Sequence, residues 1–69
     1  MRLIAQKVIE SKKHIKTATL IEYGGQYRVK YIKTDKDKHE THVLAQHEET
    51  YTKQAKAETA YAEIVAAMQ

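Results

Sequence analysis

Cysteine, proline, phenylalanine and tryptophan are absent from this chain of 69 residues, and glycine occurs only twice. Without cysteine the chain forms no disulfide and offers no thiolate to a zinc ion, a composition that suits a reducing cytoplasm, where we expect the protein to reside. No apolar run approaches the roughly 20 residues of a membrane span. Arg2 is not followed by an apolar segment of signal-peptide length, so we expect no secretory leader.

The supply of large aliphatic residues is small for a folded domain. A chain of this length buries only about 60% of its unfolded surface, so tyrosine and alanine have to provide much of the core. We expect one small domain over residues 1–69. Because pairing two chains buries additional apolar surface, the thin core favours a homodimer.

Charge is unevenly distributed along the chain. Residues 1–38 carry ten basic and four acidic residues, whereas residues 39–69 carry two and five, which gives net charges of +6 and −3. Such an asymmetry is typical of a surface that faces an anion. It is also typical of lysines that keep a small protein soluble and protect sheet edges. The sequence leaves both interpretations open.

The stretch LIEYGGQYRVKYIK, residues 20–33, predicts a β-hairpin. Alternating polar and apolar residues flank Gly24-Gly25, which suit a two-residue turn of type I′ or II′ because such turns need positive φ. A two-residue turn places Tyr23 opposite Gln26, and counting back from it places Ala18 opposite Tyr31.

Side chains alternate between the two faces of such a hairpin. One face resembles a core, and we expect a helix to cover it; it carries Ala18, Leu20, Tyr27, Val29 and Tyr31. The other, here called the outer hairpin face, is basic and rich in hydroxyls; it carries Thr17, Thr19, Ile21, Tyr23, Gln26, Arg28, Lys30 and Ile32. The candidate binding face is the part of the outer hairpin face that we expect to contact a partner, and it consists of Ile21, Tyr23, Arg28, Lys30 and Ile32.

The remaining segments complete an antiparallel four-stranded meander with one C-terminal helix across one face, a ββββα fold of the α+β class. Strands are predicted over about 2–10, 15–23, 26–34 and 40–47, with a polar turn over 34–38. Residues 2–10 also fit the start of a helix, but a fourth strand gives their apolar side chains a place to pack. On that strand, Ile4 and Val8 are expected on the face opposite Leu3, Ala5 and Ile9.

The C-terminal segment is rich in Ala, Glu, Lys and Gln, which predicts a helix over about 52–68. Thr50 or Thr52 is the expected N-cap, and Glu48 and Glu49 are expected to stabilise the helix N-terminus electrostatically. One stripe at helical spacing is predicted to face the sheet; it consists of Ala57, Ala60, Tyr61, Ile64, Val65 and Met68.

Motifs for metal binding and catalysis are incomplete. The four histidines do not form a pair at the i, i+4 spacing of a helical metal site; they are His14, His39, His42 and His47. The run from His47 to Tyr51 lacks the second histidine of a metalloprotease helix. The single serine, Ser11, has no carboxylate placed to orient a neighbouring histidine. We therefore expect a non-enzymatic protein without metal or cofactor.

The predicted order ββββα is similar to the half-unit of whirly-type and related single-stranded DNA-binding dimers, a likeness of topology only. The short, lysine-rich composition also resembles small accessory proteins of phages and mobile elements. Two functions follow as expectations. One is a protein-interaction module, as a homodimer or with another protein. The alternative is binding of single-stranded DNA or RNA, with bases on Tyr23 and phosphates on Arg28 and Lys30.

Overall fold

The computed structural model describes residues 1–36 and 42–69, which form four antiparallel strands followed by one helix. The strands lie side by side in the order β1-β2-β3-β4, so each pairs with its neighbour in sequence. Their bounds are β1 Arg2–Glu10, β2 His14–Tyr23, β3 Gln26–Asp35 and β4 His42–Tyr51, and the helix α1 spans Gln54–Met68. The predicted ββββα meander is confirmed.

The central hairpin has the predicted register. Tyr23 pairs with Gln26 and Ala18 with Tyr31. Gly24 and Gly25 have φ values of 59° and 79°, and positive φ at both central positions is the geometry of a type I′ turn. That turn follows the right-handed twist of the strands, so local turn chemistry alone sets this pairing.

The core lies where the helix meets the two central strands. Leu20 on β2, Val29 on β3 and Ala57 on α1 are fully buried and form one cluster. The predicted helix stripe faces the sheet, since Ala57 and Met68 are buried and the stripe's other members are half-buried. Because alanine has so small a side chain, the helix backbone lies close to the strands at Ala57.

Residues 2–10 form a strand, as expected, but their side chains do not alternate regularly between the two faces of the sheet. The register with β2 shifts by one residue between Leu3 and Ala5, and both Ile4 and Ala5 pack against the core cluster. A bulge of this kind places two successive residues opposite one partner. The expectation that Ile4 and Ala5 lie on opposite faces is therefore wrong.

The turn between β3 and β4 begins later than predicted. Thr34 and Asp35 belong to β3, where they pair with Ile15 and His14. The backbone N–H of Lys36 then donates to the carbonyl of Lys13 over 2.8 Å. The rest of the predicted turn and the predicted start of the next strand, residues 37–41, lie outside the described residues.

The predicted end of β4 and the predicted helix N-cap are also wrong. β4 continues to Tyr51 rather than ending at His47, because Tyr51 pairs with Tyr27 and packs against the core cluster. Thr50 is thus a strand residue and not an N-cap. The helix N-cap is Lys53, which makes no side-chain capping bond, and the first turn holds no acidic residue.

Leu20→Ala should lower the free energy of unfolding by about 2–5 kcal/mol, the usual cost of truncating a buried leucine. A chain of 69 residues has about 3–10 kcal/mol of stability in total, so this loss is a large part of the total. Urea denaturation followed by circular dichroism measures the change. The matched control is Leu44→Ala, whose side chain is already 43% exposed. An equal loss in both variants would contradict this description of the core.

Candidate interaction face of the sheet

The sheet has one face covered by α1 and one face covered by no other described element. The uncovered face, called the outer face from here on, extends the outer hairpin face onto β1 and β4. Register places its members in adjacent rows across the four strands. They are Leu3, Gln6, Val8 and Glu10 on β1; Ile15, Thr17, Thr19, Ile21 and Tyr23 on β2; Gln26, Arg28, Lys30, Ile32 and Thr34 on β3; and Val43, Gln46, Glu48 and Thr50 on β4.

The five residues of the candidate binding face lie together on the two central strands, β2 and β3. Ile21 pairs directly with Arg28, and Tyr23 follows Ile21 on the same side of β2. Lys30 pairs with Thr19 on β2 and with Glu48 on β4, and Ile32 pairs with Thr17 and Gln46. Since side chains alternate, all five point away from the helix.

Arg28 and Tyr23 make a direct contact that the pattern of residues did not predict. The guanidinium carbon of Arg28 lies 5.3 Å from the centroid of the Tyr23 ring, within the range of a cation–π interaction. This contact fixes the arginine head over the turn end of the sheet and covers one side of the only aromatic ring on the outer face among the described residues.

Arg28 is half-buried, and one of its hydrogen-bond donors is unused. Its Nε is shielded from solvent and has no acceptor. Among residues 1–36 and 42–69, no ion pair within 4.0 Å involves Arg28, Lys30 or Glu48. A donor withdrawn from water without a partner costs about 1–3 kcal/mol, so a partner that supplied acceptors here would recover stabilisation.

Several large apolar side chains border these charged residues and are open to solvent. Leu3 is 56% exposed, Val8 50% and Val43 46%. Ile21 and Ile32, between them and the charged rows, are half-buried. The outer face is therefore mixed, with exposed apolar side chains placed among charged, hydroxyl and amide side chains.

A second row of functional groups lies on the helix-facing side of β4, and the sequence reasoning missed it. Nε2 of His47 lies 3.1 Å from Oε1 of Glu49, and the hydroxyl of Tyr51 donates to the other carboxylate oxygen. The spacing of two residues was visible in the sequence. It was overlooked because β4 was predicted to end at His47 and Glu49 was assigned to the helix N-terminus.

Hydrogen bonds within this row shift the pKa values of Glu49 and Tyr51. Hydrogen bonding from Tyr51, and then the interaction with His47, lowers the pKa of Glu49 below its ordinary value. The same bond to Glu49 raises the pKa of Tyr51. All three side chains are partly solvated, so the row acts as a surface hydrogen-bond network.

Comparison with protein-family models, with curated proteins and with solved structures found no match. The likeness to whirly-type dimers thus remains a likeness of element order. Among the described residues, no group of three or more His, Cys, Asp or Glu side chains is arranged to hold a metal ion. No helix in residues 1–36 and 42–69 has the length and apolar character needed to cross a membrane.

Tyr51→Phe should raise the pKa of Glu49 towards its ordinary value, because the main group that stabilises its carboxylate is removed. The depressed pKa means that Glu49 contributes stability above its unfolded-state pKa, and that this contribution is lost as the pH falls through the lower, folded-state pKa. Carbon-detected NMR titration of the carboxyl carbon measures the shift. Tyr23→Phe, on the opposite face, is the control and should leave Glu49 unchanged. A Glu49 pKa unaffected by Tyr51→Phe would contradict the assigned cause.

Proposed function

We propose that the protein is a non-enzymatic protein-interaction module that pairs with a second copy of itself through the outer face. The observation that carries the proposal is that a four-stranded sheet has one face entirely without a covering layer among the described elements. Sheets in small domains bury their apolar face against a second layer. A second copy supplies that layer without any additional chain.

The composition of the core supports this pairing. Leu20 and Val29 are the only large side chains among the described residues that are fully buried, which is little for a stable fold of this length. The exposed apolar side chains of the outer face are available to a partner. Burying a valine or leucine contributes about 1.5–3 kcal/mol, so a few such residues from each copy make a substantial contribution.

The dimensions of the outer face suit a dimer. Four strands about 4.8 Å apart, each of about ten residues at 3.3 Å, present a projected area of roughly 600 Å². Stable interfaces bury about 800 Å² of accessible surface on each partner. Because side chains project from the sheet, the accessible area of the outer face is larger than its projected area. Pairing the two faces thus reaches the usual size without using the helix or the strand edges.

The Tyr23–Arg28 contact is the expected anchor of the interface. Tyrosine and arginine are enriched among residues that dominate binding energy. Arg28 also has an unused donor and no carboxylate partner within its own chain's described residues. The outer face carries Glu48, also without an ion pair there, so two copies bring complementary charges to one interface.

Sedimentation equilibrium should give a mass twice the 8.0 kDa of the chain at micromolar concentrations. Val8→Lys should weaken the dimer at least about tenfold, because it removes about 1.5 kcal/mol of apolar burial and adds a charge to be desolvated. The monomer should remain folded, since half of the Val8 side chain is already exposed.

The control for this experiment is Ala62→Lys, which introduces the same charge on the exposed side of α1. It should leave the dimer intact. A mass of one chain at every concentration, with a normal circular dichroism spectrum, would refute the self-association proposal. The same variants would then test binding to a different protein.

The alternative function is binding of single-stranded nucleic acid, supported by the placement of Tyr23, Arg28 and Lys30 on one open sheet face. Two observations make it the weaker proposal. The Arg28 head already covers one side of the Tyr23 ring, so only the other side of this ring is open to a base. Glu48 lies beside Lys30 in the register and reduces the attraction for phosphates.

Fluorescence anisotropy with labelled single-stranded DNA and RNA at low salt tests this alternative. If it holds, affinity falls steeply with salt and the double substitution Arg28→Glu with Lys30→Glu abolishes binding. The control, Lys53→Glu with Lys56→Glu near the start of α1, changes the net charge equally and should retain binding. No change in anisotropy at micromolar protein would exclude the nucleic-acid function.

A further inference from the structure

An open groove lies on the helix-bearing side of the sheet, away from the outer face. It has a volume of about 320 Å³ and is bounded by Tyr31, His47, Ile64, Ala67 and Met68. The floor comes from β3 and β4 and the wall from the last turns of α1. Its surface is mainly apolar, and its volume falls at the small end of the range for ligand pockets, about 300–1,000 Å³.

Two lysines lie near the end of α1 that borders the groove. The ammonium group of Lys16 donates to the backbone carbonyl of Met68 over 3.4 Å, which places a positive charge beside a residue of the groove wall. Lys33 pairs with Lys16 across β2 and β3 and lies two residues beyond Tyr31, on the same side of β3. The two lysines thus stand next to each other where α1 ends.

These lysines lack the carboxylate partners that usually neutralise such a pair. No carboxylate of the described residues lies within 4.0 Å of either ammonium group. The carbonyl groups at the end of α1 stabilise Lys16, but they do not neutralise it. Asp35 follows Lys33 on this side of β3 and has an interaction of its own, and the Glu49 carboxylate beside the groove is engaged with His47 and Tyr51.

We propose that this groove binds a small apolar anion, a carboxylate attached to an aliphatic or aromatic body. The body packs against Ile64, Ala67 and Met68, and the carboxylate lies at the Lys16 and Lys33 end, where opposite charge attracts it. At about 30 Å³ for a water-sized group, the groove holds roughly ten non-hydrogen atoms.

Methyl NMR spectroscopy of the intact chain tests this assignment with octanoate, below its micelle concentration, and with octylammonium as the probe of opposite charge. Octanoate should shift the methyl signals of Ile64, Ala67 and Met68 and leave those of Val8 and Ile21 on the outer face unchanged. Octylammonium should produce shifts at least about fivefold weaker at equal concentration.

Two pairs of variants locate the site. Ala67→Phe fills the groove and should abolish the octanoate shifts, whereas Ala66→Phe, exposed on the same helix and absent from the groove wall, should retain them. Lys16→Gln with Lys33→Gln should remove the preference for octanoate over octylammonium, whereas Lys12→Gln with Lys13→Gln in the exposed turn should preserve it.

Equal binding of the two probes by the unmodified chain would overturn the proposal. Octanoate binding that survives Ala67→Phe would also overturn it. Concentration-dependent shifts of Ile64, Ala67 and Met68 without any probe would mean that a second copy occupies the groove, and would refute the small-ligand assignment. Because the groove and the outer face lie on opposite sides of the sheet, Val8→Lys should leave octanoate binding unchanged, which separates this proposal from self-association.

Discussion

The close packing of Ala57 against Leu20 and Val29 is the interaction on which the rest of the structure depends. These three residues form the fully buried cluster, and a larger side chain at Ala57 would hold the helix away from the sheet. α1 is the one helix among the described residues, and it covers only one face of the sheet. The side chains of the other face have no second layer in the described chain, which is why we propose that face as the binding surface.

The two proposed binding surfaces both arise from this arrangement. The outer face is left open because the helix occupies the opposite side, and there Arg28 rests on Tyr23 with an unused donor. The groove arises because α1 ends at Met68 while β2 and β3 extend beyond the helix end with Lys16 and Lys33. One surface is wide and suits a protein partner, whereas the other is small and suits a ligand.

Local chemistry decided which parts of the fold the sequence could predict. The hairpin register followed from Gly24-Gly25 because a two-residue turn permits few pairings. The end of β4 was not predicted because residues 47–50 are all polar. They belong to the strand because Tyr51, which follows them, packs against a core that forms only in the folded chain. The shift at Leu3–Ala5 and the Tyr23–Arg28 contact depend on neighbouring strands and on side-chain rotamers, which the alternation of residues does not specify.

The central claim is that the outer face is covered in solution by a second copy of the chain. Isotope-filtered NMR on an equal mixture of carbon-13-labelled and unlabelled protein tests it directly, because only contacts between chains give signals. We predict intermolecular contacts from the methyl groups of Val8, Ile21 and Ile32 and none from those of Leu20 or Val29. Intermolecular contacts confined to helix residues, or absent at millimolar concentration, would contradict the claim.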